Sequence, residues 1–252
     1  MEFERIADKK RVDFIVASIR KSFPAGGEIL DIGCGNGMIS RAIGAFGYDV
    51  KGVDVSEKTI AVAMTDNTLP NVHFEVVAAG KLTIEHLKYD AIVCSEVLEH
   101  LHRPEELLNI IHASLKNDGS LIVTVPNGRG PRELLVTRPV QHLKRKNGFT
   151  WKLASSIKRS MGYTDRTVQS AADDLSHIQF FTSKDLTALA IDTHFKIDII
   201  KPSNFIEQVF PFSLLVRRSR TLQKLDCRIA EALPLNFTSG FMTVWKKNKD
   251  LL

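Results

Sequence analysis

The run Ile29-Leu30-Asp31-Ile32-Gly33-Cys34-Gly35-Asn36-Gly37 leaves a chain few ways to fold, because a short apolar stretch holding one carboxylate passes straight into three glycines at alternate positions. Such a run reads as a strand entering a tight turn that leads into a helix. Glycine lacks Cβ, so the turn can reach positive φ and bring backbone N–H groups and a helix N-terminus towards a ligand. A dinucleotide fingerprint, Gly-x-Gly-x-x-Gly, puts its last glycine where Met38 stands here. Asp31 argues in the same direction, since a carboxylate just ahead of the glycines repels a pyrophosphate and suits an ammonium or sulfonium group. A nicotinamide-dependent oxidoreductase is disfavoured on both counts.

Tyr48-Asp49-Val50-Lys51-Gly52-Val53-Asp54-Val55-Ser56 reads as a second strand ending in an acidic residue, Asp54, seventeen residues beyond Gly37. Asp54 is placed to accept both hydroxyls of a ribose through charge-assisted hydrogen bonds. The two elements together resemble the class I S-adenosylmethionine-dependent methyltransferases, with Asp31-x-Gly33-x-Gly35-x-Gly37 as their first motif. The resemblance implies a Rossmann-like seven-stranded fold, a mostly parallel doubly wound sheet closed by an antiparallel C-terminal hairpin. It also implies S-adenosyl-L-methionine as cofactor, held by Asp31, Gly33, Cys34, Gly35, Gly37, Asp54 and Ser95, with Val55 and Ala79 against the adenine. After the third strand the chain has Ala78-Ala79 where the family commonly carries an acidic residue, so adenine is expected to be held by backbone and apolar contacts.

The rest of the chain alternates in the same βα rhythm. A leading helix within 1–27 places Phe14, Ile15, Ala17, Ser18 and Ile19 on one face and ends at Gly26-Gly27, over the ligand pocket. Helices follow at 38–46 and 56–65, the second with Ser56 as N-cap, and strands at 71–77 and 89–94. Pro104 opens a helix running to Leu115, Asn117-Asp118-Gly119 turns, and 120–125 is the fifth strand. This defines a cofactor-binding core at 28–126. The rhythm then fails for about fifty residues, too long for an ordinary loop, so 127–176 reads as a helical insertion serving as a substrate lid. Alternation resumes in 177–252, with a helix capped at Thr182-Ser183, a strand at 195–200, a basic helix near 217–232 and a last strand from Gly240, all within a single 1–252 domain.

Glu96-Val97-Leu98-Glu99-His100-Leu101, just after the fourth strand, and His177-Ile178-Gln179-Phe180 narrow the resemblance to the ubiquinone-biosynthesis O-methyltransferases and their broader relatives. In some relatives, the small-RNA 2′-O-methyltransferases among them, two glutamates and two histidines of this pattern bind a divalent metal. Carried over, the ligands are Glu96, Glu99, His100 and His177, and the ion magnesium, manganese or zinc. Without a metal, His100 serves as general base for a hydroxyl, with Glu96 lining the pocket.

The net charge of +5 conceals a local imbalance. Residues 129–166 hold ten Lys and Arg against Glu133 and Asp165, an excess of +8, interleaved with Leu134-Leu135-Val136, Phe149 and Trp151. That mixture suits peripheral contact with an anionic membrane or an amphiphilic substrate, and nucleic acid less well. The three cysteines form no Cys-x-x-Cys pair, which argues against a zinc ribbon or disulfide framework and for a reducing, cytoplasmic setting. The N-terminus is charged, without signal-peptide character, so any membrane contact is peripheral. The expected activity is methylation, at oxygen, of a small or lipid-linked acceptor. An RNA ribose 2′-O-methyltransferase is the enzyme alternative, and a non-catalytic S-adenosylmethionine-binding partner protein the alternative of another class. Nothing in the pattern specifies an oligomeric state.

Overall fold

The computed structural model describes residues 5–77, 88–140 and 177–249, apart from 208, 210, 211 and 217. Seven strands, β1 (Glu28–Ile32), β2 (Asp49–Asp54), β3 (Val72–Val76), β4 (Tyr89–Ser95), β5 (Leu115–Pro126), β6 (Phe195–Pro202) and β7 (Gly240–Lys247), form one sheet in the order β3-β2-β1-β4-β5-β7-β6. The pairs β1–β2, β1–β4, β2–β3 and β4–β5 are parallel, whereas β7 runs antiparallel to both β5 and β6. The reversal of order between β1 and β4 is the switch point where such sheets open a crevice at the carboxyl ends of their strands.

Strand side chains alternate between two packed layers. Ile29, Val50, Ala91, Val93, Ile122 and Val244 face a core built with helices α1 (Ile6–Ser22), α2 (Met38–Gly44) and α3 (Glu57–Thr65). Leu30, Ile32, Ile92, Leu121, Val123 and Trp245 face the opposite core, completed by α4 (Pro104–Ser114) and α5 (Ser183–Asp192). Burial on both faces is why the central strands read as almost uninterrupted apolar runs. The same alternation turns Asp31 towards α2, into the layer of Ile29.

Helix boundaries follow their local signals. The Ser56 hydroxyl accepts from the Thr59 N–H at the start of α3, and Thr182 and Asp185 form a reciprocal capping box on α5. Two expectations need adjustment. On α1 the buried stripe is Val12, Ile15, Val16 and Ile19, an i, i+3, i+4, i+7 set, and Ala17 faces solvent. β5 begins at Leu115 rather than at Ser120, and Asn117-Asp118-Gly119 interrupts its pairing with β4, which steps from Tyr89–Leu115 to Ala91–Ser120. The last two strands pair antiparallel as expected, and the long connection between them carries α6 (Phe212–Val216) and α7 (Arg220–Ala232), the latter at the basic helix expected near 217–232.

The insertion is described only to residue 140, where its start is pinned to the core. The Asn127 amide donates to the carbonyls of Leu235, Asn236 and Thr238, and the Gly128 N–H donates to the Phe181 carbonyl at 2.7 Å. A π-helical turn, Glu133–Thr137, follows. Lys144, Arg145, Lys146, Phe149 and Trp151 lie outside the described residues, as does Ala79. Among the described residues no helix is long and apolar enough to cross a membrane.

Candidate active site

The crevice at the carboxyl ends of β1, β2 and β4 gathers most of the residues singled out in the sequence. Gly33, Gly35 and Gly37 all hold positive φ, at 68°, 57° and 76°. At Gly33 a Cβ would overlap the Val97 side chain, and at Gly37 it would overlap the Phe74 ring, so glycine is needed there for space as well as for conformation. Gly33→Ala is therefore expected to destabilise the protein by about 2–4 kcal/mol, from the left-handed backbone and the clash together. Because Val97 must move, the segment 96–100 should shift with it, and thermal unfolding with and without S-adenosylhomocysteine would register both losses.

The backbone donors of the turn are largely turned inward. The N–H groups of Gly33 and Cys34 both donate to the Val53 carbonyl, and that of Gly37 donates to Cys34. The Gly35 N–H donates to Asp54 Oδ2 at 3.0 Å, while Ser56 N–H donates to Asp54 Oδ1 at 2.9 Å. Asp54 thus braces the turn with one lone pair on each oxygen and retains acceptor capacity on both. The Cys34 side chain lies in the core, 3% exposed, and burial pushes its thiol far up; Cys94 is likewise buried and its thiol raised. Within the turn the Cys34 thiol donates to the Gly35 carbonyl at 3.7 Å. Val55, by contrast, is an apolar side chain left 64% exposed immediately beside Asp54.

Asp31 sits beneath the turn, 1% exposed, where its Oδ2 accepts from the Ser40 hydroxyl of α2 at 2.6 Å. Burial pushes its carboxyl up to about 7, the Ser40 hydrogen bond opposes this, and the neighbouring Asp54 charge adds to it.

At the end of β4, Glu96 occupies the left-handed region at φ 58°, a conformation that costs a non-glycine residue about 1–3 kcal/mol. Its side chain is fixed on both oxygens: Thr124 Oγ1 donates to Oε1 at 3.0 Å, and Arg11 of α1 stands 3.6 Å from Oε2. The Ser95 hydroxyl, 2.9 Å from Thr124 Oγ1, completes a Ser95–Thr124–Glu96 chain. Arg11 is a site residue that the sequence reading missed, being 85 residues away from Glu96.

A second group lies beside it. Glu99, on the short 3₁₀ turn Leu98–His100, is 1% exposed, and its carboxyl is pushed well above the usual range by burial, with the Glu96 charge adding. His100 Nε2 is 3.8 Å from Glu99 Oε1, and the His100 and His177 rings meet edge to face with centroids 5.2 Å apart. The strand-like segment at His177 is docked here by its backbone, since the N–H groups of Ile178 and Gln179 both donate to the Glu99 carbonyl. Donor atoms of Glu99, His100 and His177 lie within 4.8 Å of one another. Glu133, which no sequence signal marked, is 0% exposed with Oε1 3.3 Å from His177 Nδ1.

A doubly wound sheet with its switch point at β1 and β4, a glycine turn after β1 and a carboxylate ending β2 define a cofactor-binding α/β protein of the Rossmann-like class. The chain belongs to the methyltransferase domain family, whose sequence profile matches residues 4–198. Among its relatives, a ubiquinone biosynthesis O-methyltransferase of Coxiella burnetii (strain Dugway 5J108-111) is 34% identical over 104 residues, covering 40% of this chain and 44% of the relative. One from Dechloromonas aromatica (strain RCB) is 30% identical over 128 residues, 50% of this chain and 53% of the relative. The chain spans about half the length of the curated relatives it matches. The fold is shared with a magnesium protoporphyrin IX methyltransferase from Synechocystis PCC 6803 bound to SAH, at TM-score 0.57 and 16% identity over 96% of this chain and 84% of that one. It is also shared with a SAM-dependent methyltransferase from Methanosarcina mazei, at TM-score 0.55 and 21% identity over 91% and 96% of the two chains.

Proposed function

We propose that this protein transfers a methyl group from S-adenosylmethionine to a hydroxyl of a small or lipid-linked acceptor. The observation that carries the reading is the pairing of Asp31 and Asp54 about a glycine turn, with exposed Val55 alongside. The ribose diol donates to the free lone pairs of Asp54, Val55 packs on the adenine, and the buried Asp31 supplies negative potential under the cationic end of the cofactor. In the transfer the acceptor oxygen forms a bond to the methyl carbon, and the carbon–sulfur bond breaks with its electron pair going to sulfur, which leaves a neutral thioether. The hydroxyl proton passes to the imidazole of His100. A sulfonium methyl is already activated, so alignment of the nucleophile at about 3 Å supplies much of the acceleration.

Oxygen as the methylated atom is supported by the names of the matching relatives, ubiquinone biosynthesis O-methyltransferases. An amphiphilic acceptor is supported by the start of the insertion, where Leu134 and Leu135 are 46% and 66% exposed between Arg132 and Arg138. Helix α7 adds a stripe of partly exposed Leu222, Leu225 and Ile229 beside Lys224 and Arg228, while it buries Gln223 and Asp226. Such surfaces rest against an anionic lipid layer through both apolar contact and charge.

The test is transfer of radiolabelled methyl into an extract separated into aqueous metabolites, lipids and nucleic acids. Label in the lipid or metabolite fraction, in a base-stable ether, is the expected outcome. Label in RNA would replace this reading with ribose 2′-O-methylation, and cofactor binding with no labelled fraction would replace it with a non-catalytic role.

A further inference from the structure

Helix α7 turns its polar side inward. Gln223, Asp226, Cys227 and Ala230, an i, i+3, i+4, i+7 set, are buried, whereas Leu222, Leu225 and Ile229, an i, i+3, i+7 set, stand 39%, 51% and 39% exposed. A surface helix ordinarily does the reverse and is held in place by burial of its apolar stripe. Here polar bonds hold the inward face. Gln223 Oε1 accepts from the Ile6 N–H at the start of α1 at 2.9 Å, and the Asp226 carboxylate accepts from the Phe205 and Ile206 N–H groups at 2.9 and 2.8 Å. The stripe cannot turn inward without losing these bonds. Helix α6 packs beside α7 with Phe212 and Leu215 also exposed.

Charge and position accompany the stripe. Arg220, Lys224 and Arg228, an i, i+4, i+8 row, run along one flank of it. The exposed acid of the helix, Glu231, is paired with Lys10 of α1 at 3.0 Å. A groove of about 320 Å³ between α1 and α7 sets Lys9 and Lys10 against Lys224 and Arg228, which leaves room for a phosphate group. Strand β6 runs parallel to β5, since both are antiparallel to β7. The connection carrying the two helices therefore leaves the sheet at Pro202 and returns at Gly240, opposite Pro126 at the end of β5, on the edge that holds the cofactor crevice.

We infer that the outward face of α6 and α7 docks on an anionic lipid surface. Leu215, Leu222, Leu225 and Ile229 enter the boundary of the acyl chains, and the row Arg220, Lys224 and Arg228 meets the phosphates, the arrangement of a helix lying in the plane of a bilayer. A second copy of the chain would bring the same positive excess to the contact, whereas anionic lipid neutralises it. Docking by this face holds the crevice edge near the bilayer. The inference deepens the amphiphilic-acceptor reading and rests on it for the use of the surface, but vesicle binding involves no methyl transfer, so either can fail without the other.

The experiment is cosedimentation of the full chain with vesicles of phosphatidylcholine and phosphatidylglycerol, and with vesicles of phosphatidylcholine alone, in low and high salt. Binding to the anionic vesicles that weakens in high salt, and weaker binding to the neutral ones, is expected. Lys224→Gln combined with Arg228→Gln should lose about 10–30-fold in vesicle affinity, the attraction of two surface cations. Leu225→Ser should lose about tenfold, the contribution of one apolar side chain entering lipid. Both variants should keep the thermal stability and the S-adenosylhomocysteine affinity of wild type, which separates lost docking from a lost fold. No binding of wild type to anionic vesicles would overturn the inference, as would binding unchanged in these variants but lost when Lys144, Arg145 and Lys146 are neutralised. A dimer in solution that Leu225→Ser dissociates would also overturn it, by giving the stripe to a second copy.

Discussion

Asp54→Ala loses at least about 100-fold in affinity for S-adenosylhomocysteine. The carboxylate already accepts from the Gly35 and Ser56 N–H groups, one on each oxygen, so the turn is shaped around it before any ligand arrives. Two ribose hydrogen bonds to a charged acceptor are each worth about 1.5–3 kcal/mol, and both vanish with the side chain. Their sum alone is a factor of about 10²–10⁴ in the dissociation constant. The alanine variant also leaves the Gly35 and Ser56 donors without their acceptor, which loosens the turn. Asp54→Asn separates the two roles, since its one carbonyl oxygen can keep a brace while the charge is gone. It should stay folded with an affinity between those of wild type and the alanine variant. Calorimetric titration of the three proteins decides this, and equal affinity in Asp54→Ala would place the ribose elsewhere.

The second large effect belongs to Asp31 and depends on pH. Its carboxyl is raised from 3.8 to about 7 in the folded protein, chiefly by burial. At pH below about 4 it is protonated in both folded and unfolded chains. Between about 4 and 7 the unfolded chain has released the proton while the folded chain keeps it, so stability falls as pH rises through this window and levels off above it. At 1.36 kcal/mol per pKa unit the accumulated cost approaches about 4 kcal/mol at pH 8. Asp31→Asn never carries that charge. It should be more stable than wild type at pH 8, by about 1–3 kcal/mol once the amide's own need for a partner is counted, and the gap should close near pH 4. The same variant should bind the cofactor about tenfold or more weakly at pH 8, because the negative potential that faces the cationic ligand is lost. In wild type, affinity should rise from pH 6 to pH 8 as Asp31 ionises. Urea unfolding of both proteins across pH, beside titrations at pH 6 and 8, measures both halves, and a stability gap that does not change with pH would refute the assignment.

The cost of keeping Asp31 charged, the strain at Glu96 and the buried carboxylates of Glu99 and Glu133, whose oxygens accept no hydrogen bond, fall within one crevice. Folding alone would favour none of them, which is the pattern expected where a site is held ready for a ligand.

What was legible in the sequence was what short-range physics encodes. The glycine turn, the acid ending β2, the serine and threonine caps and the proline opening α4 each act within a few residues, so spacing alone reveals them. The parallel, doubly wound part of the sheet followed from repeated βα units, and its seven-stranded form with an antiparallel end from the family resemblance. Asn117-Asp118-Gly119 interrupts the pairing of β5 with β4 where a turn was read, but the strand already starts at Leu115, because Leu115 pairs with Tyr89 before the interruption. Arg11 and Glu133 were invisible for another reason. Each meets its partner through tertiary packing, Arg11 from α1 onto Glu96 and Glu133 from the insertion onto His177, and neither sits in a local pattern that marks it. Glu96 gave no sign of its left-handed backbone, since glycine or asparagine would be the residue to suggest one.

Calorimetric titration of the full chain with S-adenosylhomocysteine, beside NAD under the same conditions, tests the central claim most directly. Saturable binding of one S-adenosylhomocysteine per chain in the micromolar range, with no heat from NAD, is the predicted result. Binding of NAD with none of S-adenosylhomocysteine would contradict the reading of Asp31, the glycine turn and Asp54 as a methyl donor's site.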